Sequence, residues 1–187
     1  MNTFTHWLRA LGTLIRHRRT DDAVARRSLP PEAIERLRQY VAASEQRHSG
    51  QIRVCIEASL PTGYLGRHLR QRVPLRRVVR ERAVMLFGKL RVWDTERNNG
   101  VLIYLLVAER AIELVADRGV DRCVAAGEWQ AMVRRMGEAF AQGRFEEGLT
   151  QALEEVSAVL VAHFPREPGA PGASGPHNEL PDLPVLL

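Results

Sequence analysis

Apolar and polar positions along the chain alternate between two periods, and the switches between them mark its elements. Between Thr3 and Arg19, Phe4, Trp7, Leu8, Leu11 and Ile15 recur at helical spacing among Arg9, Arg16, Arg18 and Arg19, with no acidic residue. This predicts a basic amphipathic helix. A hydrophilic linker follows over 20–28. Pro30-Pro31 then opens a second helix, since proline lacks only an N–H that the first turn cannot use. Ile34, Leu37, Val41 and Ala42 mark its apolar side, and Ser49-Gly50 ends it. Gln51 to Ala58 alternates with period two, the mark of a strand. The stretch from Leu60 to Pro74 holds Pro61, Thr62, Gly63 and Gly66 and reads as a loop. Val79, Ala83, Leu86 and Phe87 restore the helical period over 78–90.

Asn98-Asn99-Gly100 precedes a continuous apolar run, Val101 to Val107, which suits a strand buried on both faces. Glu109-Arg110 turns the chain into a third strand over 111–117, and Gly119 breaks it. One helix is expected around Trp129, Met132, Val133, Met136 and Phe140, and another from Phe145 to His163. Strand, crossover helix and strand make a parallel pair, and the tight turn adds the third strand antiparallel. The predicted fold is therefore α/β, a small mixed β-sheet built from a β-α-β crossover plus an antiparallel hairpin strand, sandwiched by helices. Three regions follow: an N-terminal basic helix and linker at 1–28, one α/β domain at 29–165, and a Pro- and Gly-rich tail at 166–187 expected to be disordered.

Composition supports one folded domain, with 45% hydrophobic and 26% charged residues in 187. The net charge of +5 invites a polyanion partner, but Lys89 is the only lysine among 27 basic residues. Such one-sided use of arginine reads first as compositional bias. Arg67, Arg70, Arg72, Arg76, Arg77, Arg80, Arg82, Lys89 and Arg91 stand against the single acid Glu81, without the interleaved aromatics that stack nucleic-acid bases. An anionic partner surface is expected there, and nucleic acid is not. Cys55 and Cys123 carry no metal-site spacing. No run of ~18 apolar residues and no signal-peptide pattern is present. The expected location is cytoplasmic without a transmembrane segment, with the first helix either packed on the domain or lying at a membrane surface.

The topology gathers polar residues at one edge of the sheet, where the first two strands start and the third ends. Glu45, His48 and Gln51 reach it from the turn before the first strand, Asp94, Thr95, Glu96, Arg97, Asn98 and Asn99 from the approach to the second, and Asp117, Arg118 and Asp121 from the exit of the third. Carboxylate and amide oxygens near one another suit a hard cation such as calcium. Turn and capping chemistry accounts for the same residue types equally simply. The candidate metal ligands are Asp94, Asn99, Asp117 and Asp121, and the candidate anion-binding residues are Arg97 and Arg118. No phosphate-binding loop, nucleophile elbow or HExxH motif occurs. Glu57 and Glu113 lie inside strands, where arginine partners are expected for them.

Glu45, His48, Ser49 to Val54, Arg82-Ala83, Leu90 to Glu96, Asn98 to Tyr104, Glu113 to Gly119, Trp129, Gly143-Arg144-Phe145, Gly148-Leu149 and His163-Phe164-Pro165 together resemble the TPM-domain family. The resemblance spans roughly residues 30 to 165 and is to the compact bacterial subgroup without a signal peptide or transmembrane tail. One departure is Gln51, where the family usually has Glu. The resemblance implies a sheet sandwiched by helices, and a metal or phosphate site around Asp94, Asn99 and Asp117. Plant thylakoid members have been described as acid phosphatases, some members bind calcium, animal members modulate receptors, and many bacterial members have no assigned activity. Two readings follow. The first is a non-enzymatic accessory module with a divalent-cation site, engaging a protein partner that is either free or membrane-associated. The alternative is a metal-assisted acid phosphatase, a phosphomonoesterase, in which Asp94, Asp117 and Asp121 hold the cation and Arg97 or Arg118 stabilises the phosphoryl group.

Overall fold

Two strands buried on both faces, β1 (Gln51–Glu57) and β2 (Gly100–Leu106), run parallel at the centre of the sheet. The computed structural model describes residues 3–125, 127–166 and 178–187, with side chains from residue 11 onward. β3 (Ala111–Ala116) pairs antiparallel with β2 through a one-turn 3-10 connection, Val107–Glu109, closed by Arg110 at φ 51°. The expected mixed sheet is thus observed.

Strand alternation divides the core in two. Ile52, Val54, Ile56, Val101, Ile103 and Leu105 face α3 (Pro31–Glu45), α7 (Glu128–Ala141) and α8 (Phe145–His163). Cys55, Leu102, Tyr104 and Leu106 face α4 (Thr62–Gln71) and α5 (Leu75–Lys89). Burial pushes the Cys55 thiol up to about 12, so it stays protonated as a small core residue. The expected arginine partners of the strand carboxylates are present. Arg82 pairs with Glu57, and Arg80 with Glu113 at 3.3 Å.

Three expectations are corrected. The linker over 20–28 contains a helix, α2 (Asp22–Ser28), because the Asp21 carboxylate accepts from Val24 N–H at 2.9 Å and caps it. The loop over 60–74 contains α4, since Leu65 finds a core to bury in and outweighs the helix-weakening Gly63 and Gly66. The tail at 166–187 is not disordered at its end. Val185–Leu186 forms β4 parallel to β1, giving the order β3-β2-β1-β4, and Leu180 is buried with the α4–α5 side of the core. Average composition hid the apolar residues Leu180, Leu183 and Val185 to Leu187, the last of which supply backbone partners to the otherwise open edge of β1. Leu187 N–H donates to Ile56 O, and Ala58 N–H to Leu187 O, both at 2.9 Å. Residues 167–177 lie outside the described residues.

At the N-terminus α1 (Thr3–Arg19) docks near the turn between β2 and β3. The buried His17 ring accepts from Leu60 N–H at Nδ1 (3.1 Å), which fixes the proton on Nε2, and Nε2 donates to Glu109 at 3.0 Å. Arg16 forms a two-oxygen pair with the same carboxylate. No helix among the described residues is long and apolar enough to cross a membrane.

Candidate functional site

The register Gln51↔Gly100 and Val101↔Ala116 brings the starts of β1 and β2 and the end of β3 to one edge. The segment 95–99 leading into β2 is fixed there by its own side chains. Thr95 Oγ1 accepts from Asn99 N–H at 3.0 Å, and Asn98 takes a left-handed φ of 51°, a conformation asparagine tolerates better than most residues. On one side Asn99 Nδ2 donates to Ser49 O at 3.0 Å and Gln51 N–H donates to Asn99 O at 3.2 Å. On the other, Gly119 N–H donates to Asn98 O at 3.0 Å and Asp117 N–H to Gly100 O at 2.9 Å. A Cβ on Gly119 would lie 2.5 Å from Asn98 O, so the close approach of these loops requires glycine.

Asn99 and Asp117 are buried at this seam. Asp117 Oδ1 accepts from Arg118 N–H at 2.7 Å and caps α6 (Arg118–Asp121). Asp117 Oδ2 and Asn99 Oδ1 accept no hydrogen bond from the described residues. A buried oxygen without a donor is costly, and a cation or a donor group on a partner would offset that cost. The other candidates lie differently. Asp94 is exposed and paired with Arg91, Asp121 is exposed on α6, and Arg97 and Arg118 are exposed, with Arg97 3.4 Å from Ser49 Oγ. Among the described residues no three His, Cys, Asp or Glu side chains are grouped so as to hold a metal ion. The edge therefore offers two buried oxygens flanked by exposed charges, and not a carboxylate cage.

Three roles were missed from sequence. Gln51 Oε1 accepts from Glu179 N–H (2.8 Å) and Leu180 N–H (3.0 Å), and Glu179 Oε2 accepts from Glu96 N–H at 2.8 Å, so the tail is clipped across this edge. The apolar residues Leu180 to Leu187 were the available signal. His48 Nδ1 donates to Gly50 O at 3.0 Å, and burial depresses the ring to about 4, leaving it neutral. Glu45 is buried and accepts from Ile52 N–H at 3.0 Å. Its burial outweighs that bond and raises its carboxyl from 4.5 to about 7.

The raised Glu45 gives a signed pH dependence. Because the unfolded chain ionises first, the stabilisation is fully present below pH 4.5 and is lost as pH rises through about 7. The loss is roughly 3 kcal/mol. His48 acts in the opposite sense, its contribution being present above 6.5 and lost as pH falls through about 4. Glu45→Gln keeps an oxygen for Ile52 N–H and removes the ionisation. Urea unfolding of both proteins from pH 4 to 8 should therefore show the variant gaining on the wild type as pH rises through that window; parallel curves would mean that Glu45 titrates normally.

A family model described as the TPM domain matches residues 25–159. No curated protein matches the chain. Among solved structures it is similar to the NMR structure of the BA42 protein from the psychrophilic bacterium Bizionia argentinensis. The two are 24% identical with a TM-score of 0.67, over 85% of this chain and 95% of that one. At that identity the likeness shows the fold.

Proposed function

The chain belongs to the TPM-domain family, and on that premise we propose that it is a non-enzymatic binding module whose polar sheet edge takes a divalent cation, calcium by preference, and presents it to a protein partner. One observation carries this reading: Asn99 Oδ1 and Asp117 Oδ2 are buried at the same seam and accept no hydrogen bond from the described residues. Amide and carboxylate oxygens are hard donors, which favours calcium over metals that prefer nitrogen or sulfur. Calcium also tolerates the irregular geometry of an amide, a carboxylate and nearby carbonyls better than magnesium does. With a single buried carboxylate the expected affinity is weak, on the order of 10⁻⁴–10⁻³ M.

Asp117→Asn tests the site cleanly. Asparagine caps a helix as well as aspartate does, so α6 is kept while the charge is lost. Calorimetric titration should give a Kd for calcium at least about ten-fold weaker in the variant, since a carboxylate contributes charge that an amide does not. Equal affinities in the two proteins would place the cation elsewhere.

The exposed guanidiniums of Arg97 and Arg118 favour a second reading, a metal-assisted phosphomonoesterase. Against it, the His48 imidazole at this edge is buried with Nδ1 committed to Gly50 O. The expected result is no turnover of p-nitrophenyl phosphate with calcium, magnesium or manganese at acid and neutral pH; metal-dependent turnover lost in Arg97→Ala or Arg118→Ala would favour the enzyme.

A further inference from the structure

α1 is docked with the unexpected side inward. At 100° per residue, positions 13 and 17 lie on one side of the helix and positions 11, 14, 15 and 18 on the other. The side turned to the domain carries Thr13 and His17, which are 4% and 5% exposed, and it is held there by the His17 and Arg16 contacts to Glu109 and the His17 contact to Leu60 N–H. The outward side carries Leu11, Leu14 and Ile15, at 39%, 40% and 44% exposure. In the sequence, Phe4, Trp7 and Leu8 continue the same period toward the N-terminus. A helix that served only to cover its own domain would bury its apolar stripe and expose its histidine.

The charge around the stripe selects what would cover it. α1 contains no acidic residue, and Arg18 and Arg19 are exposed beside the leucines. α4 packs next to it and also contains no acidic residue; Arg70 near its end and Arg72 just beyond it are exposed. The rest of the arginine-rich stretch is more nearly neutralised, with Glu81 bridging Arg67 and Arg77. A second copy of the chain docked symmetrically on this face would set arginine against arginine, which is unfavourable. A surface that is fluid, apolar below and negative above accepts both the stripe and its arginines.

We propose that the outward face of α1, with Leu11, Leu14 and Ile15 as its apolar inserts and Arg18 and Arg19 as its anchors, docks the domain on an anionic lipid surface. The helix lies in the plane of the headgroups while His17 and Glu109 keep it attached to the domain. This brings the end of the sheet that carries the β2–β3 turn to a membrane without any spanning segment, and it does not depend on whether the polar edge at the other end binds calcium.

Co-sedimentation of the full chain with phosphatidylcholine vesicles, with and without about 30% phosphatidylglycerol, tests this in calcium-free buffer. Binding is expected only with the anionic lipid and should fall as salt rises. Leu11→Ser/Ile15→Ser and Arg18→Glu/Arg19→Glu alter exposed side chains only, so both should keep the wild-type melting temperature and each should bind at least about ten-fold more weakly. Absence of binding by the wild type would overturn the proposal, as would equal binding by the variants. So would a lipid-independent dimer in size-exclusion chromatography that Leu11→Ser/Ile15→Ser abolishes, since the stripe would then belong to a second copy.

Discussion

Replacing Gly100 by alanine is expected to destabilise the chain by more than about 3 kcal/mol, at the upper end of what single overpacking changes cost. The added Cβ would lie 2.0 Å from Val92 O and 3.0 Å from Val92 Cγ1. Neither obstacle can move freely. Val92 is fully buried and its N–H donates to Phe87 O at 3.0 Å, which fixes the exit from α5. Gly100 itself is the first residue of the central strand, paired with Gln51 and accepting from Asp117 N–H. Relief of the clash must therefore part β2 from that turn and drag the polar seam with it. Gly63→Ala is the matched control, because a Cβ there meets nothing within 4 Å and the position is helical; it should be neutral or stabilising by up to about 1 kcal/mol. Urea unfolding of the two variants reads the contrast, and a midpoint for Gly100→Ala near that of the wild type would show that the turn before β2 is free to shift.

The second large effect is at the opposite end of the sheet. Arg82→Met should cost about 3–5 kcal/mol, the usual consequence of stranding one member of a buried ion pair. Glu57 and Arg82 side chains are only 4% and 11% exposed. Arg82 Nε donates to Glu57 Oε2 at 2.9 Å, its second nitrogen bonds Oε1, and Tyr104 O–H donates to Oε2 at 2.6 Å. Burial and the adjacent carboxylate push the Tyr104 hydroxyl upward, so it remains a donor. Arg82 also lies over the Tyr64 ring, 5.3 Å from its centroid, which ties α5 to α4. The double variant Arg82→Met/Glu57→Gln should recover at least half of the loss, because the neutral amide oxygen still accepts from Tyr104 and no charge is left unpaired. A loss below about 1 kcal/mol in Arg82→Met would mean that Glu57 reaches water or takes up a proton at little cost.

The parts of the fold visible in the sequence are those where periodicity and burial agree. The unbroken apolar run from Val101 reads as a central strand because both of its faces are covered, and the alternation from Gln51 reads as its neighbour. The position of the polar edge follows from the same order of elements, and Asn99 and Asp117 are both buried there. What periodicity does not carry is the choice among tertiary partners. Glycine and proline around Thr62 outweigh the helical spacing of α4 until Leu65 finds a core to enter. The tail averages as disordered, although its last apolar residues are what the edge of β1 pairs with. The side of α1 that faces inward is set by His17 meeting both Glu109 and Leu60, residues more than forty positions away. Whether Asp94 and Asp121 join Asn99 and Asp117 is likewise a matter of side-chain reach, and the structure leaves both at the surface.

The most direct measurement is a calcium titration of the full chain followed by amide NMR shifts. A cation held at the polar edge requires saturable shifts confined to residues 94–100 and 117–121, with the backbone of Asn99 and Asp117 moving most and Asp117→Asn suppressing them. A folded protein whose amides there stay unmoved at saturating calcium would contradict a cation site at this edge and leave its two buried oxygens to a partner's donor groups.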